Sequence, residues 1–466
     1  MRTYQKQGAR MIDRLDGRCL LADEMGLGKT WEVLAYLAMH PQHRPAIVIC
    51  PASIKRKWEW EIKNLLPNDV PQVIMGHSPF DIEGSIVIIN YDIIHYSVTV
   101  KNKKYDPLKK GSKKTIKIVN AREELLDTKF RIVIADEAHR LANSKTGRTK
   151  AFKKLCINKS KVIFVTGTPI EDGPINFYTM LSILKPDLFG NWMYYIRRYC
   201  NAKNNGFGWD YSGASNTTEL YKKIKPFMIR RLKSEVEKEL PDKTRIIVPL
   251  EMKNRSEYDK AETDFIQWVK TNVKNVSKTL RAQALTKMAI LERIAIKEVL
   301  NEVILWIDDY LSNGDSLVVG VVHRDVNNKL YSKFKKTSVQ IIGGMGDKKF
   351  EISQKFQNDP NINLAVCNME SAGEGLDLYK APATLSVETM WNPAKQNQFE
   401  GRVHRIGQKA NKVFAYCIVP IDSIIEDKLY ALDRKQIKIN AVVDGIETDE
   451  EELFTTMIDK TLERRS

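Results

Sequence analysis

The stretch Leu20-Leu21-Ala22-Asp23-Glu24-Met25-Gly26-Leu27-Gly28-Lys29-Thr30 runs an apolar strand into a glycine-containing turn, and Trp31 to Met39 continues it as a helix. Those residue types in that order suit a phosphate group. Glycine lets backbone N–H groups approach phosphate oxygens, and a helix N-terminus adds partial positive charge. Lys29 is placed to reach terminal phosphates, and the Thr30 hydroxyl to ligate Mg²⁺. Asp23 stands where the strict phosphate-loop pattern has glycine, so Asp23, Gly26, Leu27, Gly28, Lys29 and Thr30 together make the candidate cradle. Further along, Ile132-Val133-Ile134-Ala135 reads as a buried strand delivering Asp136-Glu137-Ala138-His139 at its C-terminal end, where ligands bind in open α/β sheets. Two adjacent carboxylates divide the work: Asp136 would hold Mg²⁺, usually through water, and Glu137 would orient and deprotonate an attacking water. Acids are favoured at any helix start that follows a strand, which weakens either motif alone but not both in the right order.

The elements that must position these groups are legible as short apolar runs. Ala46–Cys50, Ile86–Ile89, Ile132–Ala135 and Val162–Val165 recur in the first half, and Leu317–Val322, Leu364–Cys367, Thr384–Val387 and Val413–Val419 in the second. Such runs lack strict alternation, as strands buried on both faces of a parallel sheet do. Ile296, Val299, Leu300, Val303, Ile307 and Leu311 mark one helix face that stops at Asn313-Gly314, and Tyr258, Ala261, Phe265 and Trp268 mark another. The pattern is α/β and occurs twice. The expected domains are 1–240 (with a helical region over 171–240), 241–445 (with a helical region over 251–312) and an acidic tail over 446–466.

With 74 Lys+Arg against 58 Asp+Glu the chain carries a formal charge of +16, which favours a polyanionic partner, commonly nucleic acid. No run approaches the about 18 apolar residues of a membrane span, so no membrane partner is expected. The N-terminus Met1-Arg2-Thr3-Tyr4-Gln5-Lys6-Gln7 has no apolar signal core. Cys19, Cys50, Cys156, Cys200, Cys367 and Cys417 are scattered, without a C-x-x-C pair, and read as reduced core residues of a cytoplasmic protein (host cytoplasm for a viral chain).

Taken together these residues resemble the superfamily 2 nucleic-acid motors, and more narrowly the Snf2-like DNA-dependent ATPases. Asp23–Thr30 is that family's form of the phosphate loop. Asp136–Asn143 and Val165-Thr166-Gly167-Thr168-Pro169-Ile170 follow in its style, and Pro226–Ser234 through Leu240–Thr244 resembles the stretch joining its two lobes. Ser371–Leu378, Trp391-Asn392-Pro393 and Arg402-Val403-His404-Arg405-Ile406-Gly407-Gln408 complete the set. The resemblance implies two RecA-like lobes with parallel sheets and with ATP and Mg²⁺ in the cleft between them. It makes Gln5 the adenine-reading glutamine, with Arg2 or Tyr4 covering the base, and places Gly375 near the nucleotide. Arg405 resembles the arginine finger, with Arg402 either beside it at the γ-phosphate or in an interlobe salt bridge. Gly401 replaces the acid that the family usually has before that arginine.

The same resemblance lays out a DNA track of Pro51, Ala52, Ser53, Asn90, Tyr91, Asn143, Thr166, Gly167, Thr168 and Gly373, holding one phosphate strand without reading sequence. Trp391 is either a direct DNA contact or a core tryptophan at a strand end. An insertion over 97–119 has Val98 and Val100, then Ile116 and Ile118, alternating with polar residues around a tip with Lys103, Lys104, Tyr105, Lys109 and Lys110. It reads as a β-hairpin probing a DNA junction, or as a lysine-rich loop adding only affinity. The expected function is an ATP-driven DNA translocase, a monomer, that remodels branched or forked DNA. A strand-separating helicase, an RNA-dependent ATPase and a non-catalytic DNA clamp are the alternatives.

Overall fold

Uninterrupted apolar runs become the interior strands of two parallel sheets. The computed structural model describes residues 1–101, 115–167, 173–204, 208–236, 240–272, 278–346, 348–372, 375–405 and 407–429. They fall into two compact units, dividing between residues 238 and 239. The strands of the first are β1 (Arg18–Leu21), β2 (Ala46–Cys50), β3 (Pro71–Val73), β4 (Ile86–Asn90), β5 (His95–Lys101), β6 (Thr115–Ala121), β7 (Ile132–Asp136), β8 (Lys161–Val165), β9 (Lys203–Asn204), β10 (Trp209–Asp210) and β11 (Met228–Ile229). Seven of them form one parallel sheet in the order β11-β1-β8-β7-β2-β4-β3. Both faces are covered. Ile47 and Ile49 of β2 pack with Leu20, Val87, Val133 and Phe164 on one side. Ala46, Val48 and Cys50 pack with Cys19, Leu21, Ile88, Ile134 and Ile163 on the other. This two-sided burial is why the strands read as continuous apolar runs.

Parallel register then does the positioning. Leu21 pairs with Val165, Asp136 with Val165, and Cys50 with Asn90, so the loops that follow β1, β2, β4, β7 and β8 leave the sheet at one edge. Helix α1 (Thr3–Arg14) precedes β1, α2 (Lys29–Met39) follows it, and α3 (Lys55–Leu65) follows β2.

The second unit repeats the plan with β12 (Asp242–Leu250), β13 (Leu317–Val321), β14 (Ser338–Ile341), β15 (Leu364–Asn368), β16 (Ala383–Ser386) and β17 (Lys412–Pro420), in the order β12-β17-β16-β13-β15-β14. All five of its pairings are parallel. The helix Lys278–Ser312 lays Ile296, Val299, Val303 and Ile307 on Val319, Val321, Val366 and Leu385. It ends where expected, before Gly314 at φ +86°. Tyr258 and Phe265 of the helix Ser256–Asn272 are buried in the same core. The region 171–240 is less helical than its sequence suggests, since it also supplies β9, β10 and β11.

In β13 the backbone of Gly320 is approached closely: a Cβ there would lie 2.5 Å from Phe399 Cζ and 2.9 Å from Met369 Cγ. Gly320→Ala is therefore expected to destabilise the protein by about 1–3 kcal/mol through overpacking, read as a lowered denaturant midpoint with an unchanged slope.

The six cysteines are buried and unbonded, as core residues should be. Among the described residues no helix is long and apolar enough to cross a membrane. The insertion is a hairpin: β5 and β6 pair antiparallel from His95↔Ala121 to Lys101↔Thr115, setting Val98 opposite Ile118 and Val100 opposite Ile116. Its tip, with Lys103, Lys104, Tyr105, Lys109 and Lys110, lies outside the described residues, as do Thr168, Gly373 and the acidic tail.

Candidate active site

The loop between β1 and α2 is built for close approach. Gly26 and Gly28 adopt left-handed backbone, at φ +91° and +78°, where a side chain would be strained. At Gly28 the fit is tighter still, because a Cβ would lie 2.4 Å from Gln5 Nε2. Leu27 is buried and plugs the loop, and its carbonyl accepts from the Tyr4 hydroxyl (2.9 Å) and from Gln5 Nε2 (3.1 Å). Gln5 Oε1 in turn accepts from the backbone N–H of Arg2 (2.9 Å). Gln5 thus ties the start of α1 to the phosphate loop. Lys29 Nζ donates to the carbonyls of Asp23 (2.8 Å) and Glu24 (3.3 Å), and Thr30 stands beside it in the first turn of α2.

The two sequence motifs meet. Burial draws the Lys29 ammonium below its ordinary range, opposed by the negative charges of Glu137, Asp23, Asp136 and Glu32. A Cβ on Gly167 would lie 3.1 Å from Lys29 Nζ and 2.3 Å from Met25 Cγ, so the loop after β8 presses on the same lysine. Asp136 Oδ2 accepts from Trp58 Nε1 (2.8 Å) and Oδ1 from the N–H of Glu137 (2.9 Å). The Tyr91 hydroxyl donates to the Asp136 carbonyl (2.7 Å). Burial, then the adjacent Glu137, pushes the Asp136 carboxyl up to about 6. Glu137 itself is left-handed at φ +51°, a costly backbone for a non-glycine residue. Its Oε2 lies 3.4 Å from His139 Nδ1, which also meets Thr166 Oγ1 at 3.2 Å.

This donor set fits Mg²⁺ and a triphosphate. A buried carboxyl raised by a like-charged neighbour is one that a divalent cation would return to full ionisation. Asp136 and the Thr30 hydroxyl are the hard oxygen ligands such a cation takes.

Asp23 explains its own departure from glycine. Its side chain is fully buried and turned away from Lys29, onto Arg231. Asp23 Oδ1 accepts from the Arg231 backbone N–H (3.0 Å) and Nε (3.2 Å), while Arg231 Nη2 bonds Glu32 Oε2 (2.6 Å). Burial and Asp23 push the Glu32 carboxyl up to about 9, against the pull of the Arg231 guanidinium. What Asp23 offers the lysine is its carbonyl. Arg231, Glu32 and Trp58 were not singled out from sequence. Trp58 and Glu32 sit in helices that follow recognised loops, a local signal, whereas Arg231 is remote in the chain.

The proposed DNA track divides. Ala52 and Ser53 are half-buried, Asn143 is exposed, and Pro51 and Asn90 are buried. Tyr91 and Thr166 are fully buried, and their hydroxyls meet the Asp136 carbonyl and His139. Gly167 likewise packs against Met25 and Lys29.

In the second unit Gly375 is left-handed at φ +65°. Arg405 is ion-paired with Asp377 and donates through Nη1 to the Leu376 carbonyl (3.0 Å). Arg402 is 3% exposed and donates to the same carbonyl (3.2 Å), placing it under the loop that Arg405 rims. The acid absent at Gly401 is present one residue earlier. Glu400 is fully buried, with Lys243 Nζ at 2.8 Å and Arg245 Nη2 at 2.9 Å. Burial works to raise its carboxyl, but Lys243 and Arg245 hold it below the usual range. Trp391 is 36% exposed, with Lys428 Nζ 4.3 Å from its ring centroid.

Residues 4–355 match the SNF2-related domain. The chain is 28% identical over 468 residues to the mouse DNA annealing helicase and endonuclease ZRANB3, covering 95% of this chain and 40% of that protein. It is 29% identical over 448 residues to the Xenopus tropicalis SWI/SNF-related matrix-associated actin-dependent regulator of chromatin subfamily A-like protein 1, covering 94% and 44%. The chain thus spans about two fifths of the length of these relatives. Among solved structures, the Sulfolobus solfataricus SWI2/SNF2 ATPase core in complex with dsDNA is similar at 22% identity and a TM-score of 0.42, over 99% of this chain and 96% of that one.

Proposed function

We propose that this chain, which belongs to the SNF2-related family, is a DNA-dependent ATP hydrolase that translocates on duplex DNA and remodels forked or branched DNA. One observation carries the reading: a phosphate-loop lysine lies in the field of a strand-end carboxylate pair, with Gly167 closing on it. When bound, ATP supplies the phosphoanhydride bond and Mg²⁺ the charge neutralisation.

The chain's own residues do the rest. Lys29 exchanges the Asp23 and Glu24 carbonyls for phosphate oxygen, and Thr30 and Asp136 hold the cation, the latter oriented by Trp58. Glu137 takes the proton of the attacking water, with His139 steadying its carboxylate. Arg405 supplies the positive charge at the γ-phosphate, and Gln5, against the loop, reads the base. The net charge of +16 supports a polyanionic track, and phosphate contacts make binding sequence-tolerant and salt-sensitive.

The test is ATPase activity with single-stranded, duplex, forked and four-way DNA and with RNA. Stimulation highest on duplex-containing branched DNA is expected. Stimulation by RNA alone would replace the reading with an RNA-dependent ATPase, and no turnover with any of them would leave a clamp.

The β5–β6 hairpin is the proposed junction probe. Deleting residues 102–114 is expected to abolish fork and four-way-junction processing while duplex-stimulated ATPase persists. A uniform fall in DNA affinity, with junction processing reduced in proportion, would make the tip a charged tether instead.

A further inference from the structure

We propose that Arg231 is a positioning residue through which the segment leading to the second unit sets the phosphate loop. The inference rests on the nucleotide reading of that loop and names what regulates it.

The contacts are reciprocal for residues about 200 positions apart. The Arg231 guanidinium grips both flanks of the loop, Asp23 at its entry and Glu32 one turn into α2. The backbone of its segment is stitched to the same stretch. Ala22 N–H donates to the Ile229 carbonyl (2.7 Å) and Glu24 N–H to the Arg231 carbonyl (3.0 Å). Lys233 N–H donates to Glu24 Oε2 (2.8 Å), and Arg230 Nη1 to the Ala22 carbonyl (2.8 Å). Arg231 also lies over the ring of Tyr4, 5.5 Å from its centroid, and Tyr4 holds the Leu27 carbonyl.

The residue that Arg231 fixes most firmly is Asp23, and Asp23 is the residue whose carbonyl holds Lys29 Nζ. A displacement of residues 229–233 therefore displaces the lysine's anchor. Residues 229–233 lie close in sequence to residue 239, where the second compact unit begins. Charge-assisted bonds of this kind are strong and directional, and a planar guanidinium bridging two carboxyls is not replaceable by an ammonium.

The experiment compares the full chain with Arg231→Lys and, separately, with Asp23→Asn, which keeps the shape and the Oδ1 acceptor. Thermal melts establish folding. Binding of a fluorescent ATP analogue is titrated with and without duplex DNA, and KM and kcat are measured. In the parent, DNA and nucleotide are expected to change each other's affinity by a factor of about 5–150. In each folded variant nucleotide affinity is expected to fall on the order of 10- to 100-fold, KM to rise more than kcat falls, and the DNA effect on nucleotide affinity to shrink toward unity. If Arg231→Lys does not fold, Asp23→Asn decides alone. A folded variant with parental nucleotide affinity and parental coupling overturns the proposal. Failure of the parent itself to bind the analogue strikes the nucleotide reading instead, so the two failures are distinguishable.

Discussion

Glu137→Gln is expected to bind ATP as the parent does while turning it over about 10²–10⁴-fold more slowly, the range that a positioned general base contributes. The expectation comes from how the carboxylate is held. Glu137 is left-handed at the end of β7, a conformation the surrounding structure must enforce. His139 Nδ1 stands 3.4 Å from its Oε2 and 3.2 Å from Thr166 Oγ1, tying the carboxylate to the loop after β8. Glutamine keeps the size of the side chain and removes its negative charge together with its basicity. Lys29, Thr30 and Asp136 are untouched, so nucleotide affinity is expected to stay near the parental value. Phosphate release under single-turnover conditions, with analogue binding measured alongside, separates the two quantities. A turnover loss smaller than about tenfold would show that another group accepts the proton.

The strands that sequence reading finds and those it misses divide by one physical variable. Every interior strand of both sheets was readable as an apolar run or, for β1, as the strand leading into the phosphate loop. The four strands that were not, β3, β11, β12 and β14, are the four sheet edges. β11 and β3 are two and three residues long, too short for any periodicity to register. β12 is long but largely exposed, with a single row of half-buried residues, and its opening Asp242-Lys243-Thr244-Arg245 looks like solvent-facing chain. Charge and brevity on an edge strand are protective against edge-to-edge pairing, so the features that hide β3, β11 and β12 have a purpose of their own.

The site follows a similar logic. Residues whose chemistry is local to a motif, Lys29 and the Asp136–Glu137 pair, were legible because the loop and the strand that position them adjoin them in sequence. That the Tyr91 and Thr166 hydroxyls turn inward, onto Asp136 and His139, was not legible, because which way a residue points at a strand end depends on register, and register is set across the sheet. Arg231 was invisible as a site residue for a different reason. Its two carboxylates lie about 200 positions away, and nothing in the local pattern of Ile229-Arg230-Arg231-Leu232 says which arginine turns inward. Long-range ionic contacts of this kind have no periodicity to read.

The two arginines of the second unit are expected to fail in different ways, and the difference tests the finger assignment. Arg405 is ion-paired with Asp377 at the rim of its loop, whereas Arg402 is 3% exposed beneath it. Both donate to the Leu376 carbonyl, at 3.0 and 3.2 Å. Removing Arg402 withdraws a buried donor from a buried carbonyl, so Arg402→Ala is expected to cost about 1–3 kcal/mol of stability and to lower activity by displacing the loop. Removing Arg405 costs less in folding because its partner carboxylate can be reached by water. Its expected effect is on chemistry: a finger contributes on the order of 10³–10⁵ in turnover, so Arg405→Ala is expected to lose at least 10³-fold in kcat with a melting temperature close to the parent's. Arg405→Lys should recover little of this, since an ammonium cannot reproduce the forked donor geometry that a γ-phosphate in transfer requires. Steady-state ATPase at saturating duplex DNA, read beside thermal melts of all three variants, makes the comparison. If Arg405→Ala instead melts early and its remaining folded fraction turns over normally, Arg405 is a loop brace like Arg402 and the positive charge at the γ-phosphate comes from elsewhere.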